Sequence, residues 1–365
     1  MIILSHTNLS GIHLGEVYPS EIKLGMPSGK GTGGEETFDP ASFDEAWTVT
    51  GKTNDDEDRA TVKNLTGNGN DLVLSNFAFA GDSGYGLYNQ NFNNVYSNNT
   101  AYWAESDKTY KYVKFTSVND SNANSSVTFS RLYKQKGFRF NLTSNVEGFA
   151  AKMLFYSNEQ ILLKEISLAL GENIIPDLTD EEFSSLKAIS PGITVLVPFN
   201  SGDWFALEQI PEYEGYLVTD GVDDKIQSSS FELDKDWTMV GNWVLLQGTY
   251  KPAGVVKSSI LYIYNNSNGM AVYLKSSSIP NVLSEIKSLY AVCSDGRVYD
   301  NNWNEHQLAI GEESKNISNL RFGVSTDGTK FTKTAFKNSA IYNGKVLTKD
   351  QCIKAYNYLQ TLKEK

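Results

Sequence analysis

Residues 290–299 read Tyr-Ala-Val-Cys-Ser-Asp-Gly-Arg-Val-Tyr, two short apolar runs either side of Asp295-Gly296. β-Branched and aromatic residues suit a pleated strand, and Asp-Gly supplies the positive φ angles of a type I′ hairpin turn. The pattern recurs at Asn268-Gly269, between runs at 261–264 and 271–274, and at Asp327-Gly328, between 321–324 and 330–331. Three such signals within residues 213–365 predict an all-β fold there. Beyond them the period changes from two to that of a helix. Thr348 is placed as an N-cap with Gln351 at the capping-box position, and Cys352, Tyr356, Leu359 and Leu362 form an apolar stripe at helical spacing. A C-terminal helix is therefore expected.

Moving towards the N-terminus, residues 105–212 alternate with period two at 110–115, 127–129 and 138–142, with shorter apolar strands at 152–156 and 193–197. A helical turn is expected over 179–186, with Thr179 as N-cap and Glu182 three residues on. This stretch reads as a small β-domain of its own. In residues 38–104, the Asn/Gly cluster 64–71 is a turn leading into a strand at Leu72-Val73-Leu74. The Gly-, Tyr- and Asn-rich stretch from Gly81 to Thr100 is expected to be a long surface loop. In residues 1–37, Ile12-His13-Leu14-Gly15 is echoed by Ile22-Lys23-Leu24-Gly25, ahead of a Gly-rich linker at 29–36. Short strands on a tether suit an anchoring arm, with Ile12, Leu14, Ile22 and Leu24 as its apolar contacts.

With 365 residues, the chain has room for two or three domains, each with its own core. The net charge of −11 argues against nucleic acid and anionic membranes as partners, since both need a basic surface. Neutral polymers such as glycans stay open as partners. The two cysteines, Cys293 and Cys352, lie in no CxxC motif or Cys/His cluster and read as small buried apolar residues. Whether they meet depends on the fold. The start, Met-Ile-Ile-Leu-Ser-His, lacks the basic n-region and long apolar run of a secretory signal. Nothing approaches the ~20 apolar residues of a membrane span, so no membrane insertion is expected.

Three motifs carry a resemblance. Asn64-Leu65-Thr66-Gly67-Asn68-Gly69-Asn70-Asp71 resembles the "SGNGND" opening of concanavalin-A-like, laminin-G-like jelly-roll domains. Leu217-Val218-Thr219-Asp220-Gly221-Val222-Asp223-Asp224-Lys225-Ile226 is similar to their "DGVDDYI" strand, and Ala340-Ile341-Tyr342-Asn343 with Leu347-Thr348-Lys349-Asp350-Gln351 to their closing "IYNRALTDEE". The family runs from the first motif to the second within a few tens of residues. Here about 140 residues intervene, far beyond an ordinary loop. The resemblance therefore implies a jelly roll in two parts, residues 38–104 and 213–365, with the domain at 105–212 inserted and the arm and linker at 1–37 in front.

The whole arrangement resembles structural proteins of crAss-like and related phages. That implies a head or tail fibre or decoration protein, made in the host cytoplasm and located in the virion. It would be held to other virion proteins through its arm, and would be a homotrimer or other homo-oligomer. The alternative is a glycan-binding surface or prophage protein without a virion role.

Among chemistries, a glycosidase of this fold would carry Glu-x-Asp-x-Glu on one strand. Glu232, Asp234 and Asp236 match the period but end in the shorter acid, where a turn is expected. The histidines are His6, His13 and His306, and no Gly-x-Ser-x-Gly, Walker loop or HExxH is present. The expectation is a protein that is not an enzyme. Tyr299, Asp300, Asn301, Asn302, Trp303 and Asn304, followed by Glu305 and His306, combine aromatic faces with planar polar groups as a glycan site requires. The plainer reading is a Trp packed over the sandwich edge, with Asn residues making turns. The resemblance also makes Asp220, Asp223 and Asp224 candidate calcium ligands, against turn-forming carboxylates. No other cofactor is expected.

Overall fold

Residues 334–343 of the computed structural model form a ten-residue strand, Thr334–Asn343, that is hydrogen-bonded along both edges. One edge pairs with Trp237–Leu245 over its full length. The other pairs first with Glu212–Val218 and then with Glu45–Thr48, so chain segments from three distant regions meet on one strand. A bulge at Lys337, where Trp243 pairs with Phe336 and Asn242 with Asn338, lets Phe336 and Ile341 both face the core despite their odd spacing.

This strand lies within an eight-stranded antiparallel sheet that includes Gly84–Leu87, Ser288–Cys293, Arg297–Asp300 and Glu305–Gln307. A second eight-stranded antiparallel sheet contains Thr61–Val62, Leu72–Ser75, Lys225–Gln227 and Arg321–Phe322, continuing through strands at 254–257, 261–266, 269–274 and 281–284. The two sheets share one core, in which Trp47, Leu72, Leu74, Trp237, Trp243, Phe322, Phe336 and Ile341 are all buried. Leu72 and Leu74 thus pack in the same sandwich as Ile341, across most of the chain.

The structure describes residues 38–122, 125–130, 132–246, 254–257, 261–266, 269–274, 281–311, 316–317, 320–323 and 331–364. Met1–Phe38 and Asp39–Lys365 are separate units. The proposed arm residues Ile12, Leu14, Ile22 and Leu24, the linker at 29–36, Asn268 and the Asp327-Gly328 turn lie outside the described residues.

A second, smaller sandwich occupies the middle of the chain. Its five-stranded sheets run Leu162–Leu168, Ala151–Tyr156, Gly192–Val195, Ser125–Phe129, Val95–Tyr96 and Gly171–Ile175, Phe138–Ser144, Trp204–Ile210, Tyr112–Ser117, Trp103–Lys108. Its core is rich in stacked and edge-on aromatics, among them Phe92, Trp103, Phe115, Phe140 and Phe205. The helical turn is present as Asp180–Ser185, capped by Thr179 and Glu182. Because Phe92, Val95 and Trp103 sit in this core, residues 92–104 belong with the second sandwich and not with the first.

The chain enters and leaves this sandwich side by side. Gln90 and Gln209, both buried, exchange bonds there: Gln90 N–H donates to Gln209 Oε1 and Gln209 Nε2 donates to the Gln90 carbonyl, each at 2.9 Å. Asp82 adds an ionic tie, accepting from Lys134 of the second sandwich at 2.9 Å and from Lys333 of the first at 2.8 Å. Burial alone would raise its pKa, but the two ammonium groups outweigh that and hold it at about 2.

Two local expectations are corrected. The stretch from Gly81 to Thr100 is not a loop. It contains the strand Gly84–Leu87, the 3-10 turn Phe92–Asn94 and the strand Val95–Tyr96, with Tyr85, Leu87, Phe92 and Val95 buried. Its glycines mark crowding: a Cβ on Gly84 would stand 2.8 Å from Phe79 Cα, and one on Gly86 2.6 Å from Pro211 Cβ. The turn at Asp295-Gly296 is not type I′ either. Only Gly296 takes a positive φ, of 95°, and its N–H donates to the Cys293 carbonyl at 3.1 Å. That is a type I turn closed by a glycine bulge, the usual three-residue hairpin.

Gly84 and Gly67 both have positive φ, but only Gly84 is crowded. We expect Gly84→Ala to cost on the order of 3 kcal/mol and Gly67→Ala about 1 kcal/mol in denaturant unfolding. Equal costs would show that backbone strain and not close approach governs the Gly84 strand.

Candidate functional site

The outer face of the helix-bearing sheet carries a continuous strip of half-buried aromatic rings. At one end Tyr213 and Tyr216 meet edge-on with centroids 5.9 Å apart, and Lys337 Nζ lies 5.7 Å from the Tyr216 ring. In the middle, the buried Asn242 donates its amide N–H groups to Tyr216 Oη at 2.8 Å and Tyr356 Oη at 3.2 Å. At the other end Tyr356 packs on Tyr290 at 4.2 Å, and both touch Trp303, at 5.6 and 5.3 Å. Burial pushes the Tyr216 and Tyr356 phenols above the usual tyrosine range, so both stay protonated. The strip crosses five neighbouring strands, about 20 Å at sheet spacing.

The sequence explains each position. Bulges in the sheet turn Asn242 and Tyr290 outward while Trp243 and Leu289 face the core. Tyr356 comes from the helix Lys349–Thr361, whose Thr348–Gln351 capping box forms as expected. Cys352, Ala355 and Leu359 bury its inner face on the sheet, leaving Tyr356 at the margin.

Of the six residues picked out as a glycan site, Trp303 belongs to the strip. Asn301, Asn302 and Asn304 are exposed beside it. Tyr299 and Asp300 are buried and serve the loop instead. Asp300 Oδ1 accepts from Asn302 N at 2.8 Å and Asn304 N at 2.9 Å, and its Oδ2 accepts from Asn304 Nδ2 at 3.0 Å and faces His306 Nε2 at 3.2 Å. Burial would raise its pKa, but these donors hold it below the ordinary value. Tyr299 Oη donates to Glu305 Oε2 at 3.0 Å and accepts from Arg297 at 3.3 Å. This network pins Trp303 in a left-handed backbone, φ 61°, that a bulky residue rarely adopts. The indole is thereby held across Tyr290 and Tyr356.

Asp220, Asp223 and Asp224 do come together, with carboxylate oxygens within 4.8 Å of one another. Three carboxylate oxygens of Asp220 and Asp224 already accept hydrogen bonds. Asp224 accepts from Asp220 N at 2.8 Å and Ser83 Oγ at 3.0 Å, and Asp220 Oδ1 from Val222 N at 2.7 Å and Asp223 N at 3.3 Å. The donor set is thus shared between turn and any cation. Burial, with smaller repulsion from Asp220 and Asp223, pushes the Asp224 pKa up to about 7.

The opening motif is structural. Asn64 and Asn70 donate their side-chain amides to the buried Glu45, Asn64 N–H donates to Asp71 at 2.9 Å, and Trp47 Nε1 donates to the Asn70 carbonyl at 2.7 Å. Glu232 and Asp234 are exposed on a two-residue strand and the turn after it. Among the described residues no helix is long and apolar enough to cross a membrane. Neither a family model nor a curated protein matches the chain.

The fold holds more protons on Asp224 than the unfolded chain does between its ordinary value of 3.8 and about 7. Stability should therefore fall as pH rises through that window and level off above it, by up to about 4 kcal/mol at about 1.4 kcal/mol per unit. We expect Asp224→Asn, whose one carbonyl oxygen can keep the bond from Asp220 N while its Nδ2 faces Ser83 Oγ, to flatten the fall in melting temperature between about pH 4 and pH 8. A calcium-dependent rise in the wild type that the variant loses would assign the cluster to an ion, and a pH effect alone would assign it to the turn.

Proposed function

We propose that this is a non-enzymatic, lectin-like adhesive protein whose aromatic strip binds a neutral glycan, and that it serves as a fibre or decoration protein of a virion. The observation that carries the binding reading is the strip itself, from Tyr213 to Trp303, with the exposed amides of Asn301, Asn302 and Asn304 at its rim. Sugar rings present an apolar face to aromatic rings and hydroxyls to amides and phenols, and a rigid sheet holds those groups without cost in loop entropy. The net charge of −11 disfavours anionic polymers, which leaves a neutral polysaccharide as the partner. The carboxylates beside Trp303, Asp300 and Glu305, are engaged by donors of their own loop, which supports binding without turnover.

The virion role rests on the resemblance of the whole arrangement to phage structural proteins and on the repeat at Ile12–Gly15 and Ile22–Gly25, which suits attachment to another virion protein. A homo-oligomer follows by analogy with fibres alone.

Affinity electrophoresis in gels containing neutral bacterial polysaccharides tests the binding. We expect retardation in at least one such gel, with Trp303→Ala about tenfold weaker, since loss of one ring stack is worth ~1 kcal/mol or more. Release of new reducing ends, abolished by Glu232→Gln with Asp234→Asn, would replace this reading with a hydrolase. For the anchor, protein lacking residues 1–27 should fold and keep the glycan retardation yet fail to join particles. Normal incorporation of that truncation would remove the anchoring role.

A further inference from the structure

Cys293 ends the strand Ser288–Cys293, and Cys352 sits in the first turn of the helix Lys349–Thr361. Both are free thiols without exposed surface, and nothing in the binding strip uses them. Docking of the helix through Cys352, Ala355 and Leu359 buries Cys352 beside Cys293. The surroundings fix that placement. Thr238 Oγ1 lies 3.8 Å from Cys293 Sγ, donates to the Lys345 carbonyl at 3.0 Å and accepts from Leu347 N at 2.9 Å. Cys293 Sγ is 3.9 Å from the Leu347 carbonyl, which also accepts from Arg297 Nη2 at 3.1 Å. The segment entering the helix is thus tied to the sheet at the level of the thiols.

We propose that Cys293 and Cys352 form a latent cross-link, a site where a low-molecular-weight disulfide such as oxidised glutathione converts the dithiol into an intramolecular disulfide that bolts the C-terminal helix to the sheet. The first nucleophile is Cys293. Once the first helical turn opens, Cys293 stays on the sheet near the Arg297 charge, which favours its thiolate, while Cys352 moves off with the helix. The Cys293 thiolate attacks one glutathione sulfur, forming a mixed disulfide and releasing one glutathione thiolate. Cys352 then loses its proton and attacks the Cys293 sulfur, releasing the second. Two cysteine thiols are oxidised, one glutathione disulfide is reduced to two thiols, and the cysteine protons end on the released glutathione.

Enclosure of both sulfurs means the first helical turn must open before the oxidant enters, so reaction is slow and follows that opening. The cross-link would stay open in a reducing cytoplasm and close outside the cell. It links residues far apart in sequence, where constraint of the unfolded chain is large.

The test uses the full chain, incubated at mildly alkaline pH with oxidised glutathione. We expect the thiol titre in guanidinium to fall from two to zero and the intact mass to drop by two hydrogens with no glutathione retained. One cross-linked peptide should contain both cysteines, and the melting temperature should rise by about 5 °C, reversibly with reductant. Cys352→Ser should retain one glutathione on Cys293 and gain no stability; if it does not fold, the oxidised and reduced wild type supply the comparison. Stable glutathione adducts on the wild type, a disulfide that lowers the melting temperature, or two unreacted thiols while hydrogen exchange shows the helix opening would each overturn the proposal.

Discussion

The strand Thr334–Asn343 is the constraint on which the larger sandwich depends. Its two edges are filled by segments from residues 45–48, 217–218 and 237–245, so the sheet cannot close until the chain's last long strand is in place. The same strand presents Phe336 and Ile341 to the core, while Asn338, on its outer side, donates to the carbonyl of Leu359 in the helix. Its bulge at Lys337 reconciles these two demands. A sandwich closed in this way protects its central edges and tolerates a long interruption where the chain already leaves the sheet.

The interruption is built to be rigid. The Gln209 side-chain amide satisfies both backbone groups of Gln90 at the crossing, and the Lys134–Asp82–Lys333 tie spans it. Tyr88 against Tyr110, with Asn54 donating to Tyr110 Oη at 2.8 Å, adds a third contact. The entering strand Gly84–Leu87 and the leaving strand Glu212–Val218 pair with each other, and the latter carries Tyr213 and Tyr216. Placement of the second sandwich and one end of the aromatic strip therefore depend on the same pair of strands.

Strand and helix signals were legible where local chemistry decides them. The hairpin at residues 290–299, both capping boxes and the period-two runs of the second sandwich all rest on turn residues, caps and alternation. The 81–100 stretch misled because Gly and Asn signal turns by composition, whereas Gly84 and Gly86 are there for close backbone approach that only the fold creates. The aromatic strip was legible at one residue, Trp303. Tyr213, Tyr216, Asn242, Tyr290 and Tyr356 are ordinary strand and helix residues one by one, and only sheet order and helix docking bring them together. The neighbours of Trp303 misled in the opposite sense: Tyr299 and Asp300 have the composition of a sugar site, but bury themselves to hold the indole in place. Proximity of Cys293 and Cys352 was likewise a property of tertiary structure alone.

The central claim is that one face of the helix-bearing sheet engages a neutral polysaccharide as a rigid surface. Hydrogen–deuterium exchange of the full chain with and without a retarding polysaccharide tests it most directly. The account predicts added protection confined to residues 213–216, 288–293, 300–306 and the helix around Tyr356, with the polysaccharide recovered intact. Protection confined to the second sandwich, or at Asp220–Asp224 with none along the strip, would contradict it.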